Sequence, residues 1–252
     1  MTVSARIERA RLSPRMNSPR AAFAAILGAA LLSACASAPR ARTDDLRPPV
    51  ETGKLAPDLV EIATFDPTIH LDVRYATASN FVGRPVYEEA RTFLQRPAAE
   101  ALVRAHRALA RKGFGIVVFD GYRPWSVTKL FWEVTPPEKR EFVADPRQGS
   151  RHNRGCAVDL SLYDLATGRE VEMPSAYDEM TERAYPDYEG GPVEARQRRE
   201  VLRAAMEAEG FSVFPSEWWH FDYQDWPLYP VLDVPFSGLG GARPARHFGP
   251  DS

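Results

Sequence analysis

The apolar stretch from Ala21 to Leu32 is too short to cross a bilayer as a helix, which needs about 20 apolar residues. No uninterrupted apolar run of that length occurs in the 252-residue sequence, which excludes a polytopic membrane protein. Hydrophobic residues make up 44% of the chain, enough for one sizeable core or two small ones, so disorder over the whole length is also excluded. The formal net charge of −2 gives no sign of a nucleic-acid partner, and two cysteines cannot build a disulfide scaffold.

Residues 1–35 have the basic beginning, short apolar stretch and small-residue ending of an export signal. Arg15 and Arg20 supply the positive charge, and the segment ends in the order Leu, small, small, Cys at Cys35. This ending resembles the bacterial lipobox, which implies that Cys35 carries lipid and anchors the mature protein to a membrane. The alternative is an ordinary secretion signal with a coincidental cysteine.

The amino-acid composition divides the rest of the chain into a tether, a domain and a tail. Residues 36–56 are rich in Ala, Pro, Arg and Asp without periodicity, which predicts a flexible tether, and residues 236–252 predict a flexible tail. Residues 57–235 between them have the size of a single domain. Met16 would also make a conventional translation start. The alternative is therefore that the protein begins at Met16 and that residues 1–15 come from a mis-set initiation site.

Hydrophobic spacing predicts a mixture of helices and strands in this domain. The predicted helices cover 97–112, 124–134 and 194–209, and the predicted strands cover 114–119, 157–163 and 218–223. Because no regular βαβ repeat connects them, we expect an α+β domain with a small, mainly antiparallel sheet flanked by helices.

Two short segments contain the residue types needed for metal-dependent hydrolysis. His152 and Asp159 lie seven residues apart, and a turn at Gly155 could bring them to one point. Downstream, Glu217 precedes His220 by three residues. Two histidines and a carboxylate are a common ligand set for catalytic Zn²⁺, and a further carboxylate can act as the base that a metal hydrolase needs. We therefore expect His152, Asp159 and His220 as ligands and Glu217 as the base.

Each half of this pattern has a simpler interpretation. His152 and Asp159 could form a hydrogen-bonded clamp within a loop, and Glu217 and His220 could merely flank a core strand. Residues three apart on a regular strand also point to opposite faces, so Glu217 and His220 converge only if the chain bends. We expect such a bend at 215–216, where a proline is followed by a serine.

Several separated segments between about Leu71 and Tyr223 resemble the zinc D-alanyl-D-alanine dipeptidases, the vancomycin-resistance type within the D,D-peptidase group. The matching segments are Tyr75-Ala76-Thr77, Asp120-Gly121-Tyr122-Arg123-Pro124, Ser150-x-His152-x-x-Gly155-x-Ala157-x-Asp159 and Glu217-Trp218-Trp219-His220. The resemblance implies one zinc ion per chain at the sheet, held by His152, Asp159 and His220. It also implies that Glu217 is the general base and acid.

The resemblance assigns roles to four further residues. Arg123 matches the arginine that faces the scissile carbonyl, and a simple ion pair with Asp120 is its alternative role. Tyr75 and Asp178 correspond to groups that hold the ammonium group of the substrate, and Ser150 is a further substrate-binding candidate. For Asp178 the alternative is a solvated surface charge. Strand alternation places Cys156 on the apolar face, so we expect a small buried residue there rather than a fourth ligand.

Together these features predict an exported, lipid-anchored zinc dipeptidase that hydrolyses D-Ala-D-Ala in cell-wall peptide turnover. No protein partner is implied. Because Ala36 gives no acidic retention signal after Cys35, we expect the periplasmic face of the outer membrane. One alternative is a D,D-carboxypeptidase acting on peptidoglycan stem peptides. The other is a non-catalytic, zinc-stabilised lipoprotein that binds wall peptides.

Overall fold

The computed structural model describes residues 45–240. The predicted signal and Cys35 lie outside this range, as do residues 36–44 and 241–252. The helices are α1 (Ile62–Phe65), α2 (Arg96–Ala110), α3 (Trp125–Val134) and α4 (Val193–Glu207). The strands are β1 (Leu59–Glu61), β2 (His70–Leu71), β3 (Phe93–Gln95), β4 (Phe114–Asp120), β5 (Ala157–Asp164), β6 (Phe211–Phe214) and β7 (Glu217–Tyr223).

Five strands form the main sheet, in the order β2-β4-β5-β7-β6. The pair β2–β4 is parallel, whereas β4–β5, β5–β7 and β6–β7 are antiparallel. Strands β1 and β3 form a separate antiparallel pair. The predicted α+β fold with a mainly antiparallel sheet is therefore confirmed, and no helix among residues 45–240 is long and apolar enough to cross a membrane.

Helix α2 covers one face of the sheet because its apolar residues recur every three or four positions. Leu102, Ala105 and Leu109 are fully buried, and the helix packs against β4 and α4. Pro97 lies in the first turn, where a missing N–H group costs no hydrogen bond. The three helices predicted from spacing are present, with ends that differ by at most two residues.

Strand β5 has a polar face and an apolar face, as its alternation predicts. Val158, Leu160 and Leu162 belong to the hydrophobic core, and Asp159 and Ser161 point the other way. Both faces are buried, since Asp159 and Ser161 are also covered by neighbouring residues. A buried carboxylate on a central strand requires compensating partners, which the candidate site must supply.

Two irregular strand pairings lie beside Asp159. Along β4 and β5 the register shifts so that Asp120, and not Phe119, pairs with Asp159. Between β6 and β7, Val213 pairs with Phe221 but the next residue, Phe214, pairs with Glu217. Such bulges turn side chains away from the regular alternation and are common beside active sites.

The packed domain extends beyond the predicted bounds of 57–235. At its beginning, the Leu55 N–H donates a hydrogen bond to the Leu228 carbonyl, and Glu51 accepts from the Arg154 guanidinium. At its end, Phe236 is only 4% exposed. The aromatic rings around it belong to Tyr87, Phe93 and Tyr122. Glycine-rich composition gave no sign of this packing, because the burial of Phe236 depends on aromatic rings that are distant in sequence.

We expect Phe236→Ala to lower the free energy of unfolding by about 3–5 kcal/mol, because it leaves a cavity among three aromatic rings. Urea denaturation measures this change. Leu165→Ala is the control, since Leu165 is 44% exposed and its truncation should change stability by about 0.5 kcal/mol or less. Equal stability of the two variants would show that the segment after residue 235 does not pack.

Candidate active site

A single turn of 3-10 helix, His152–Arg154, presents the first histidine of the site. It ends at Gly155, whose φ of +66° lies in the left-handed region that glycine adopts without strain. A Cβ atom at Gly155 would also lie 2.4 Å from the side chain of Leu59. The chain therefore reverses at Gly155, as predicted, and β5 brings Asp159 back beside His152.

Three candidate ligand atoms converge at this point. His152 Nε2 lies 3.1 Å from His220 Nδ1 and 3.3 Å from Asp159 Oδ1. His220 Nδ1 and Asp159 Oδ1 are 3.1 Å apart. Asp159 and His220 are register partners on β5 and β7, so the sheet itself holds two of the three. The structure thus brings together the ligands expected from sequence, within the range it describes.

The donor atoms fit a zinc ion. A tetrahedral centre with bonds of about 2.0–2.1 Å has ligand atoms about 3.3 Å apart, close to the spacings here. Asp159 Oδ1 is buried and has no hydrogen-bond partner among residues 45–240. Buried carboxylate oxygens are normally satisfied, so an unpartnered one that faces two imidazole nitrogens indicates a cation site. The chain has the donor set of a zinc enzyme.

A backbone carbonyl fixes the orientation of the His152 ring. His152 Nδ1 donates a hydrogen bond to the Gly121 carbonyl at 2.6 Å, which leaves the lone pair of Nε2 facing Asp159 and His220. Metal-binding histidines usually have such a partner on the second nitrogen. Gly121 follows β4 directly, so the sheet also positions this ligand.

The charges of the site favour a bound cation. Burial alone would raise the pKa of Asp159, but His152 and His220 outweigh burial and hold that pKa well below its ordinary value. Burial alone would lower the pKa of His220, but the carboxylates of Asp222 and Asp159 raise it to about 10. Two carboxylates lie within 3.1 Å of the two nitrogens of His220, and such a site attracts either protons or a metal ion.

The second oxygen of Asp159 has a partner that sequence reasoning missed. The Tyr177 hydroxyl donates to Asp159 Oδ2 at 3.0 Å, and its ring lies 4.6 Å from that of Phe119. Tyr177 belongs to a segment without helical or strand periodicity, so no local pattern placed it at the sheet. Its hydrogen bond leaves Oδ1 as the oxygen available to a metal ion.

Glu217 lies beside the converging atoms because of the irregular pairing in β7. Its Oε2 is 3.5 Å from His220 Nδ1, although residues three apart on a regular strand would face opposite sides. The chain turns at residues 215–216, as expected, and the shifted pairing of β6 with β7 places Glu217 on the side of His220. Burial is the largest influence on Glu217 and raises its pKa to about 7, although the nearby His220 lowers it.

Arg123 forms an ion pair with Asp120 and also reaches the cavity. Its Nε and Nη2 donate to Asp120 Oδ2 at 3.0 and 2.8 Å, so the ion pair with Asp120 is present. The guanidinium also lines the cavity and lies 3.8 Å from Asp159 Oδ2. The other oxygen of Asp120 accepts from the Tyr87 hydroxyl at 2.8 Å. A buried, doubly held carboxylate thus fixes the direction of the Arg123 side chain.

Tyr75 and Asp178 form a second polar pair in the same cavity. The Tyr75 hydroxyl donates to the carboxylate of Asp178, at 3.0 Å from each oxygen. Asp178 is partly buried and has a φ of +61°, an unusual value for a residue other than glycine. Burial and the nearby Asp159 raise the pKa of Asp178 well above its ordinary value. Its alternative role as a solvated surface charge is therefore wrong.

Ser150 lines the cavity but also supports the histidine turn. Its hydroxyl accepts from the His152 N–H at 3.2 Å, and its own N–H donates to Asn153 Oδ1 at 2.7 Å. Cys156 is buried on the apolar side, as expected, and its Sγ contacts the Arg154 carbonyl at 3.6 Å. Burial raises the pKa of the Cys156 thiol, which opposes the thiolate form that binds metal.

The converging atoms open into a cavity of about 150 Å³. This volume is below the 300–1,000 Å³ that is usual for drug-sized ligands, so the cavity suits a small molecule. Segment 141–145 and residue Met180 form part of its wall. Trp219 also lines the cavity, whereas the neighbouring Trp218 donates its indole N–H to Ser175.

Several bacterial dipeptidases are similar to most of this domain. A D-alanyl-D-alanine dipeptidase of Escherichia coli K12 is 34% identical over 180 residues, which cover 71% of this chain and 92% of that protein. Dipeptidases of the same name from Enterococcus faecalis and Enterococcus faecium are 38% and 36% identical, each over 64% of this chain and 89% of its own length.

A solved vancomycin-resistance D,D-dipeptidase, in complex with a D-Ala-D-Ala phosphinate analogue, is 20% identical over 59% of this chain and 54% of its own, with a TM-score of 0.35. The family model of the M15 peptidases, described as D-Ala-D-Ala dipeptidase, matches residues 56–237. This match spans the sheet, both histidines of the converging group and Glu217. The chain belongs to the M15 family of D-Ala-D-Ala dipeptidases, which are zinc metallopeptidases.

Proposed function

We propose that this protein hydrolyses D-Ala-D-Ala to two molecules of D-Ala at the site of His152, Asp159 and His220. The observation that carries the proposal is the unpartnered Asp159 Oδ1, which faces two imidazole nitrogens with the Glu217 carboxylate beside them. A structural zinc site has four protein ligands and needs no base, whereas a catalytic one keeps three ligands and an open position. The relatives named above are dipeptidases of this substrate.

Glu217 is the proposed general base and acid. When bound, the zinc ion supplies Lewis acidity and lowers the pKa of a water molecule toward about 7. The Glu217 carboxylate lies 3.5 Å from His220 Nδ1, one of the atoms that would hold the ion, and so is placed to act as a base there. It takes the water proton during attack on the peptide carbonyl and gives it to the departing amine.

Arg123 is the proposed stabiliser of the negative charge that develops on the carbonyl oxygen. Asp120 holds its guanidinium from behind through two hydrogen bonds. Because the group is already fixed before reaction, it stabilises that charge without reorganisation. The Arg123 guanidinium also packs over the rings of Phe131 and Tyr75, 4.7 and 5.4 Å away, which further limits its movement.

Tyr75 and Asp178 are the proposed binding groups for the substrate ammonium. The Asp178 carboxylate lies in the cavity wall without an ion-pair partner of its own among the described residues, so an ammonium group would supply its countercharge. A carboxylate at this position favours a free dipeptide over a stem peptide, in which the same nitrogen is part of an amide bond. This feature distinguishes the proposed dipeptidase from the D,D-carboxypeptidase alternative.

We expect the purified protein to cleave D-Ala-D-Ala much faster than N-acetyl-D-Ala-D-Ala or a stem pentapeptide. Acetylation removes the positive charge that Asp178 would bind and adds bulk where the cavity ends. Release of D-Ala, followed with each peptide, measures the difference. Comparable rates with all three peptides would favour the carboxypeptidase.

In the same assay Glu217→Ala should keep its zinc yet lose about 10²- to 10⁴-fold in turnover, because one residue transfers both protons. Glu100→Ala, an exposed glutamate on α2, is the matched control and should retain full activity. A fully active Glu217→Ala enzyme would contradict the mechanism with any substrate. An inactive wild type that binds zinc would support the non-catalytic alternative.

We infer further that the enzyme acts in the cell envelope, on peptides released during wall turnover. Support comes from the order Leu, small, small, Cys at Cys35, which lies outside the described residues. If Cys35 carries lipid, residues 36–50 connect the anchor to Glu51, whose side chain binds Arg154 of the domain. The periplasmic face of the outer membrane remains the proposed location.

Metabolic labelling with a palmitate analogue should mark the wild type and not Cys35→Ala, because acylation requires the Cys35 thiol. Cys156→Ser is the control and should remain labelled, since Cys156 is buried in the core. The readout is in-gel detection of the analogue after expression in a bacterium that processes lipoproteins. Labelling that survives Cys35→Ala would contradict the anchor.

A further inference from the structure

Strand β7 carries a second carboxylate on the same face as His220. Asp222 follows two positions later, and side chains two apart on a strand point to the same side. His220 Nε2 lies 2.9 Å from Asp222 Oδ1, within hydrogen-bond distance. Neither the converging group nor the proposed mechanism uses Asp222, yet it contacts a candidate ligand directly.

This contact determines which nitrogen of His220 is free. A neutral imidazole has one N–H group and one lone pair. A carboxylate only accepts hydrogen bonds, so Asp222 requires the proton on Nε2 and leaves the lone pair on Nδ1. Nδ1 is the atom that faces Asp159 Oδ1 and His152 Nε2, at 3.1 Å from each. In the neutral ring the lone pair of His220 therefore faces the other two candidate ligand atoms.

Arg151 supports Asp222 from the outer side. Its Nε lies 3.6 Å from Asp222 Oδ2, and its guanidinium packs over the Trp226 ring at 4.7 Å. The Phe214 ring lies 5.0 Å from the ring of His220. The Asp222 side chain is only 14% exposed, so its direction is set by these neighbours and not by solvent.

We propose that Asp222 is a positioning residue that holds His220 in the tautomer whose Nδ1 binds the metal ion. This inference rests on the metal site proposed above. It also distinguishes the two histidines: His152 uses Nε2 because its Nδ1 donates to a backbone carbonyl, and His220 uses Nδ1 because its Nε2 donates to a carboxylate. Removal of such an outer partner typically weakens metal binding about 10- to 100-fold.

The first test measures zinc affinity by competition with a chromogenic chelator. Asp222→Ala should bind zinc about 10- to 100-fold more weakly than the wild type. Asp222→Asn, which keeps an acceptor oxygen but loses the charge, should lie between them. Asp225→Asn is the matched control, since Asp225 follows β7 and makes no side-chain hydrogen bond recorded among residues 45–240. Thermal unfolding of the metal-free proteins identifies any variant that loses zinc only because its fold is weakened.

The second test reads the tautomers directly, by long-range ¹H–¹⁵N correlation spectra of the zinc-loaded protein with ¹⁵N-labelled histidine. His220 should carry its proton on Nε2 and His152 on Nδ1. A His220 proton on Nδ1, or zinc affinity of Asp222→Ala within twofold of the wild type, would overturn the inference. Failure of the wild type to bind zinc would instead overturn the proposed function, so the two failures are distinguishable.

Discussion

The architecture of the site depends on one buried carboxylate oxygen. Asp159 Oδ1 lies among two imidazole nitrogens without a hydrogen-bond partner in the described part of the chain. An ionised group in such surroundings is costly unless a countercharge is present. A metal ion would supply that charge, and His152 and His220 would be its other two protein ligands. The surrounding sheet and loops hold these atoms about 3 Å from one another, the spacing that zinc ligands need.

Two register shifts in the sheet bring further residues of the site beside these atoms. The shift between β4 and β5 brings Asp120 opposite Asp159, from where it holds Arg123. The shift between β6 and β7 brings Glu217 to the side of His220. A regular sheet would place neither Asp120 opposite Asp159 nor Glu217 beside His220, because alternate residues face opposite sides. The proposed base and the proposed oxyanion group therefore both depend on bulges beside the same central strand.

The sequence predicted the parts of this arrangement that local patterns encode. His152 and Asp159 were linked correctly, because Gly155 marks the turn and alternation marks β5. The turn at residues 215–216 was predicted, but the register shift that brings Glu217 beside His220 was missed, since a bulge arises from strand pairing and has no local signal of its own. Tyr177 was missed for a related reason: its contact with Asp159 spans 18 residues, and Tyr177 itself lies in a segment without periodicity. The packing of Phe236 was missed because it depends on aromatic rings that are distant in sequence.

The zinc content of ligand variants tests the central claim most directly. Elemental analysis after gel filtration should find about one zinc ion per chain in the wild type and in Cys156→Ser. His152→Ala and Asp159→Ala should lose the metal, because each leaves only two protein ligands. Loss of zinc from Cys156→Ser, together with its retention in His152→Ala and Asp159→Ala, would contradict the ligand set and with it the account of the site.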